Sequence, residues 1–370
     1  MKNDALRPMR ALVTLTALAV GSLGAAGCDQ DGVAGGEVTL RTGGAGGITF
    51  NTDNNVSPGA RDIYEFNRTG AWHTNSFGFQ TKLKKVIFEH PQYGVISTDP
   101  SKVPDIFSPR VAISSAGNLE VTVYPPLGGA PESFSGDEIV GLELLFKVQY
   151  NGSPTFDSRV RVDQRYFDPL GGNLYKLVKV DPVDGTVLGA ICEVGPTGER
   201  NARIYEAVSI DGISGAVVEV PNIYHVACTA GAPGKTSLYG YFPTGDPTTF
   251  RLANRVLRAD YCADGYPFTY PGNSLLIRDN FSPGQQGQTL AQALTWGDEN
   301  DALLEAMWDE NGVLCVEDPR VDTLGRKDVI CPVKRLPGGS ETYNWQPPPC
   351  VGFVDPNPPG VRFYSFVAIE

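Results

Sequence analysis

Histidine is scarce in this 370-residue chain: His73, His90 and His225 must fill every role that an imidazole takes. No two cysteines stand as C-x-x-C, so a zinc site of the usual Cys/His kind has no support and no metal is expected. The Asp-rich turns at 181–185, 298–301 and 309–312 do not follow the D-x-[DN]-x-[DN]-G order of a calcium loop. Signatures of the G-x-S-x-G, H-E-x-x-H and catalytic Cys–His kinds are missing. Gly231-Ala-Pro-Gly234-Lys235-Thr236 has the ending of a phosphate loop, but Thr229 stands where that pattern needs glycine or alanine, and the segment reads as a turn. No cofactor is expected. Bases are outnumbered, 30 Lys and Arg against 42 Asp and Glu, which argues against nucleic acid as a partner. Beyond the first 30 residues no run approaches the ~20 apolar residues of a transmembrane helix.

The start of the chain has a distinct composition. Lys2, Arg7 and Arg10 precede the apolar run Ala11–Val20, and Leu23-Gly-Ala-Ala-Gly27 leads into Cys28. This is the plan of a secretory signal, with a run too short to span a bilayer. Small residues directly before a cysteine resemble the lipobox of bacterial lipoproteins, which implies that Cys28 becomes the acylated first residue and that acyl chains hold the protein to a membrane. Ala25 stands where that motif usually has leucine, and free secretion after cleavage near Ala26 is the alternative. Removing residues 1–27, with three bases and one acid, takes the net charge from −12 to −14. Residues 28–36 form a polar, glycine-rich tether. The expected address is the bacterial cell envelope, at the outer membrane or periplasmic face.

With 43 glycines, 29 prolines and short alternating segments, the remainder reads as loop-rich β structure. Strands are expected in VTLRT from Val38, GGITFNT from Gly46, Lys82–His90, Arg110–Ser115, Leu119–Pro125, Val140–Tyr150, Ser158–Val162, Asn173–Val180, Thr186–Val194, Ala207–Ile210, Ala216–Val220 and Val313–Val316. The apolar ending Val361–Ile369 predicts a docked edge strand. Helical signal comes late: Phe250–Cys262, Thr289–Leu294 and Asp301–Trp308, the last capped by Asp298 or Asn300. The fold class is mainly β, with antiparallel sheets in a sandwich-like or barrel-like arrangement and a short helical insertion. Besides Cys28 there are six cysteines, Cys192, Cys228, Cys262, Cys315, Cys331 and Cys350, an even set that implies three disulfides among 15 connectivities. The short loop between Cys315 and Cys331 favours that pair, with Cys228–Cys262 and Cys192–Cys350 as companions.

The stretch Phe250–Gly265 organises the rest. At 100° per residue Leu252, Ala253, Val256 and Leu257 share one face and Arg251, Arg255 and Arg258 the other. Asp260 then falls on the apolar face, followed by Tyr261 and Cys262, with Asp264-Gly265 as the stop. A carboxylate aimed into a core must be hydrogen-bonded or paired. Asp260 is therefore expected to accept bonds from turn amides or an arginine, and Tyr261 to pack its ring while its hydroxyl finds a backbone partner.

Arg258-Ala-Asp260-Tyr261-Cys262-Ala-Asp264-Gly265 resembles the ADYC-domain family, uncharacterised proteins, many of them lipoproteins, common in myxobacteria. Other pieces fit in order: Ala227-Cys228-Thr229, Leu238-Tyr-Gly-Tyr-Phe-Pro243, Asp309–Val316, Cys331-Pro332 and Ile191-Cys192. The resemblance covers residues 136–337 and is dense over 223–332. With the strand-rich start and the proline-rich end, the expected layout is an N-terminal β-rich region (37–135), the ADYC-like domain (136–337) and a proline-rich tail (338–370) that ends in the docked strand. Thr236 and Asn254 stand where the family often has two further cysteines. The family carries no established activity.

Two functions follow for testing. Tyr239, Tyr241, Phe242, Tyr266, Phe268 and Tyr270 flank the central helix, and with Trp296 and Trp308 they are candidates for a surface that holds a glycan or an envelope protein; the alternative is that they are core. Asp260 with Asp264, or Asp298 with Glu299 and Asp301, would suit a glycan hydrolase if a pair stood about 5 Å apart in a cleft. His225 is expected to be a satisfied, partly buried imidazole rather than a base. A structural or binding role is the reading preferred, with Arg258, Asp260, Tyr261 and Cys262 as fold residues.

Overall fold

The computed structural model describes residues 61–368 except 115–117, 196–197, 212–213, 270–274, 282–288, 321–327, 336–340 and 352–359. The signal segment, Cys28, the tether and the strands expected before residue 60 lie outside the described residues, as does Tyr270. The protein is mainly β, 45% strand and 14% helix, in antiparallel sheets that, among the described residues, do not close into a barrel.

In chain order the first strands are β1 (Glu65–Asn67), β2 (His73–Thr74), β3 (Phe79–His90) and β4 (Gly94–Thr98). A separate three-stranded sheet follows, β5 (Arg110–Ile113), β6 (Glu120–Tyr124) and β7 (Glu132–Ser135). The chain then returns to the first sheet through β8 (Glu143–Tyr150), β9 (Phe156–Asp168), β10 (Gly172–Val180), β11 (Val187–Ala190), β12 (Ala202–Ile210) and β13 (Val217–Cys228). This ten-stranded sheet runs β1-β13-β12-β10-β9-β8-β3-β2, with β11 on β10 and β4 on β3. Pairing of β3 with β8 carries the sheet across residue 136.

Alternation explains these strands. On β6, and on β8 as far as Val148, every second residue is buried, so one face of each pleat enters a core and the other is more open to water. Val111, Ile113, Val121 and Val123 of the small sheet join Leu83, Phe146, Val162 and Ile204 of the large one in a single cluster.

The second half begins with α1 (Ala232–Leu238) and α2 (Pro247–Arg258), continues with β14 (Leu276–Asp279) and α3 (Leu290–Glu299), and then gives β15 (Ala302–Asp309), β16 (Gly312–Val316), β17 (Cys331–Arg335), β18 (Glu341–Trp345) and β19 (Phe363–Ala368). The order β14-β19-β15-β16 makes a four-stranded sheet, and β17 pairs with β18. On one face Trp308, Ala306 and Phe363 pack with Leu252, Ala253 and Val256 of α2. On the opposite face Leu304, Met307 and Phe366 pack with Leu290 and Ala293 of α3.

Several expectations are corrected. Asp301–Trp308 was expected to be a helix, since Ala, Leu, Glu and Met favour one, whereas Ala302–Asp309 is extended. It is a strand because β19 and β16 pair with it on both sides, and tertiary pairing outweighs propensity. Asn300 accordingly closes α3 instead of opening a helix. The terminal segment is an interior strand, not an edge, because it lies between β14 and β15. The glycine-lysine segment is helical, not a turn. Gly234 packs so closely that a Cβ there would stand 2.1 Å from the Cys228 carbonyl oxygen, so the glycine serves helix-to-strand contact.

All six expected cysteines are bonded, but as Cys192–Cys228, Cys262–Cys331 and Cys315–Cys350. The expected Cys315–Cys331, Cys228–Cys262 and Cys192–Cys350 pairs are therefore wrong. Loop length was the misleading guide. Cys315 belongs to the α3 face of the four-stranded sheet and Cys331 to the α2 face, so the sheet stands between them. Cys192 and Cys228 share the first core, which Cys262 never enters. Non-reducing peptide mapping should recover the three observed pairs; a Cys315–Cys331 peptide would contradict the layering.

Candidate functional site

The motif residues sit where α2 ends. Asp246 caps the start of that helix, its carboxylate accepting the Thr249 N–H at 3.0 Å, with Pro247 in the first turn. The helix stops at Arg258, four residues earlier than the periodicity predicts, because Ala259 adopts the left-handed conformation at φ 50°. Asp260 N–H then reaches the Arg255 carbonyl at 2.9 Å and Ala259 N–H the Val256 carbonyl at 3.1 Å, the paired bonds of a Schellman closure. The expected polar face is corrected as well: Arg251 is exposed, but Arg255 and Arg258 are buried, because the helix is covered on nearly all sides.

Asp260 is buried in the turn after the helix. Its carboxylate accepts the N–H groups of Asp264 and Gly265, each at 3.1 Å. The Arg258 guanidinium donates to the Gly265 carbonyl and braces the same turn. Asp264 is exposed and accepts the Tyr266 N–H at 2.9 Å. Burial pushes the Asp260 carboxyl up to about 6, with the Asp264 charge adding to it and the charges of Arg258 and Arg255 working against it.

Tyr261 is fully buried, its ring stacked on Trp308 with centroids 5.6 Å apart and tilted against Phe268 at 5.5 Å. Its hydroxyl donates to Glu305 Oε1 and accepts the Arg320 N–H at 3.0 Å, so a backbone partner is present together with a carboxylate. Arg320 Nε donates to the same Glu305 oxygen at 2.8 Å. Its two terminal nitrogens donate to the Leu257 carbonyl at 2.9 Å and to the Val256 carbonyl. The guanidinium thereby satisfies carbonyls in the last turn of α2 and places positive charge at the negative end of the helix. Glu305 reaches this point because the β15 register slips against β19 between Leu304 and Ala306, leaving Glu305 as the extra residue of a bulge. Burial opposes the Arg320 charge, but Glu305 and Tyr261 outweigh it and hold its pKa above the ordinary value. Burial, reinforced by the Glu305 charge, raises Tyr261 well above a normal phenol.

Neither Glu305 nor Arg320 was expected from the sequence. They lie 44 and 59 residues from Tyr261, and no local spacing links them. A second buried cluster was missed in part. Glu65 on β1 holds His225 Nδ1 at 2.7 Å, His73 Nε2 at 3.1 Å and the Ser209 hydroxyl at 2.8 Å. Burial opposes the Glu65 charge, but those hydrogen bonds outweigh it and hold the carboxyl at about 2. The two imidazoles are spent on one carboxylate, and among the described residues no group of three His, Cys, Asp or Glu is arranged to hold a metal ion.

The expected aromatics are divided. Among the described ones Tyr239 is the most exposed at 42%, its hydroxyl donating to the Leu275 carbonyl at 3.3 Å. Tyr241 is half-buried, edge-on to Phe363 and donating to Asp279 at 3.1 Å. Tyr266 lies edge-on to the buried Phe268. Trp296 packs on Phe366 with Arg278 over its ring, on the α3 face of the sheet. The acids divide too: Asp260 is enclosed, whereas Asp298, Glu299 and Asp301 are exposed beyond α3. A small cavity in the first core is lined by apolar residues, among them Ile63, Phe66, Phe146 and Ile204.

Thr236 and Asn254 are both buried, on the contacting helices α1 and α2. A family model described as the ADYC domain matches residues 136–322, about half of the chain. No curated protein and no solved structure matches it.

Two outcomes test the site. Arg320→Met leaves the Glu305 charge buried without its partner and should cost about 3–5 kcal/mol in urea unfolding, whereas the double variant Glu305→Leu/Arg320→Met should recover part of that loss. For Asp260 the folded value of about 6 lies above the ordinary carboxylate value. Its contribution to stability is thus fully present below about pH 4 and lost as pH rises through 6. The melting temperature of the wild type relative to Asp260→Asn should fall between pH 4 and 7, while Asp260→Ala, leaving two N–H groups unpaired, should melt several degrees lower at every pH.

Proposed function

The chain belongs to the ADYC-domain family, and on that footing we propose that it is an exported lipoprotein of the cell envelope with a structural or binding role. The observation that carries this reading is the cysteine arithmetic. Six of the seven cysteines pair with one another, which fits an oxidising compartment and leaves only Cys28, at the end of a secretory-type segment, for acylation. The enclosure of Asp260 and Tyr261 supports their role as fold residues rather than as the acids of a cleft. Glycan or protein binding through the aromatic residues is the finer part of the proposal, and Tyr239 is the most accessible of those described.

Mass spectrometry of the mature N-terminus tests the anchor. The expected species begins at an acylated Cys28, and Cys28→Ser should move the protein from the membrane to the soluble fraction. A free amine at another residue refutes it.

A further inference from the structure

The segment Asp99–Pro109 joins β4 to β5, and Pro125–Pro131 joins β6 to β7. Leu127 N–H donates to the Ile106 carbonyl at 2.8 Å and closes the two loops into one tip. Four large apolar side chains on it face solvent: Val103 is 94% exposed, Leu127 75%, Phe107 72% and Ile106 63%. Single exposed apolar residues are ordinary on a protein surface; four on two bonded loops make a patch.

The tip is held in shape. Asp105 accepts the Phe107 N–H and the Ser108 hydroxyl, each at 2.9 Å, and Asp99 accepts the Ser101 N–H at 3.0 Å. Prolines at 100, 104, 109, 125 and 126 restrict the backbone further. The same prolines lack an N–H, and the N–H groups of Phe107 and Leu127 are satisfied inside the tip. Of the four tip residues, Phe107 and Leu127 can therefore enter an apolar medium without stranding their own N–H groups, which is what a lipid environment demands of a backbone. A protein interface instead offers about one hydrogen bond per 100–200 Å² and gains from free donors. Charge points the same way. Residues 99–109 carry two acids, Asp99 and Asp105, and one base, Lys102, and residues 125–131 carry no charge; with Arg110 at the adjoining start of β5, the tip is close to uncharged on a chain of net charge −12.

We propose that the tip formed by Val103, Ile106, Phe107 and Leu127 inserts into the interfacial layer of a lipid bilayer. The envelope reading supplies the reason that a bilayer is near, but the insertion needs no acyl chain. It turns a one-point attachment into a two-point one and fixes which end of the β body faces the membrane.

The test uses the mature chain with Cys28→Ser, which carries no acyl group, in flotation with phosphatidylcholine vesicles. The expected result is flotation of this protein and at least a tenfold lower bound fraction after Ile106→Glu/Phe107→Glu. Thermal melts of the two proteins should coincide, because both side chains are exposed. Val183→Glu, at a site 93% exposed on another turn, should float as before. Failure to float, equal flotation of the tip variant, or binding only when phosphatidylglycerol is added overturns the proposal. So does self-association that the tip variant abolishes without any flotation. Lipidation is read separately at the mature N-terminus, so either idea can fail alone.

Discussion

The end of α2 is buried, and that sets a physical problem which the rest of the second half answers. The last carbonyls of a helix have no partners inside the helix, and here water cannot reach them. Arg320 supplies donors to the Val256 and Leu257 carbonyls, but brings a charge into the core. Glu305 balances that charge, and it can do so only because a bulge in β15 turns it toward the helix. Tyr261 completes the group by donating to Glu305 and accepting from the Arg320 backbone. Each member makes the burial of another tolerable, so the cluster acts as a unit.

The four-stranded sheet stands between two small cores, and the chain keeps its bracing consistent with that division. Cys262–Cys331 lies on the Tyr261 side and Cys315–Cys350 on the α3 side. The first half is joined to the second by the β12–β13 ribbon. Cys228, Ile204 and Val226 on it face the β core, whereas Tyr205, Ala227 and Val208 meet Phe250 of α2. A two-residue period along a strand thus serves two different neighbours.

What the sequence made legible was what local pattern controls. Alternation marked β3, β6 and β8, and the polar character of Asp260 inside an apolar context marked it as a buried acceptor. Its burial has a different origin from the one expected: a left-handed Ala259 swings it inward, where helical phase alone had been invoked. Ala302–Asp309 was illegible because the decision lay with two partner strands, one of them more than fifty residues ahead. Glu305, Arg320 and the Glu65–His225 contact were invisible for the same reason, since their partners are brought together by topology alone. The cysteine pairs failed because a short loop says nothing about which face of a sheet each thiol occupies.

The two disulfides of the second half interleave along the chain: Cys315 lies between Cys262 and Cys331, and its partner Cys350 lies beyond both. Joining each cysteine to the next one to appear after Cys228 would link Cys262 to Cys315 and Cys331 to Cys350, and both links are non-native. Oxidation in order of emergence would therefore trap this half of the molecule with β19, its interior strand, still to be placed. A chain oxidised in that order reaches its native pairs only through thiol–disulfide exchange, minutes to hours in the absence of a catalyst. Under oxidation in order of emergence, the yield depends on the isomerase capacity of the compartment as much as on the stability of the finished fold.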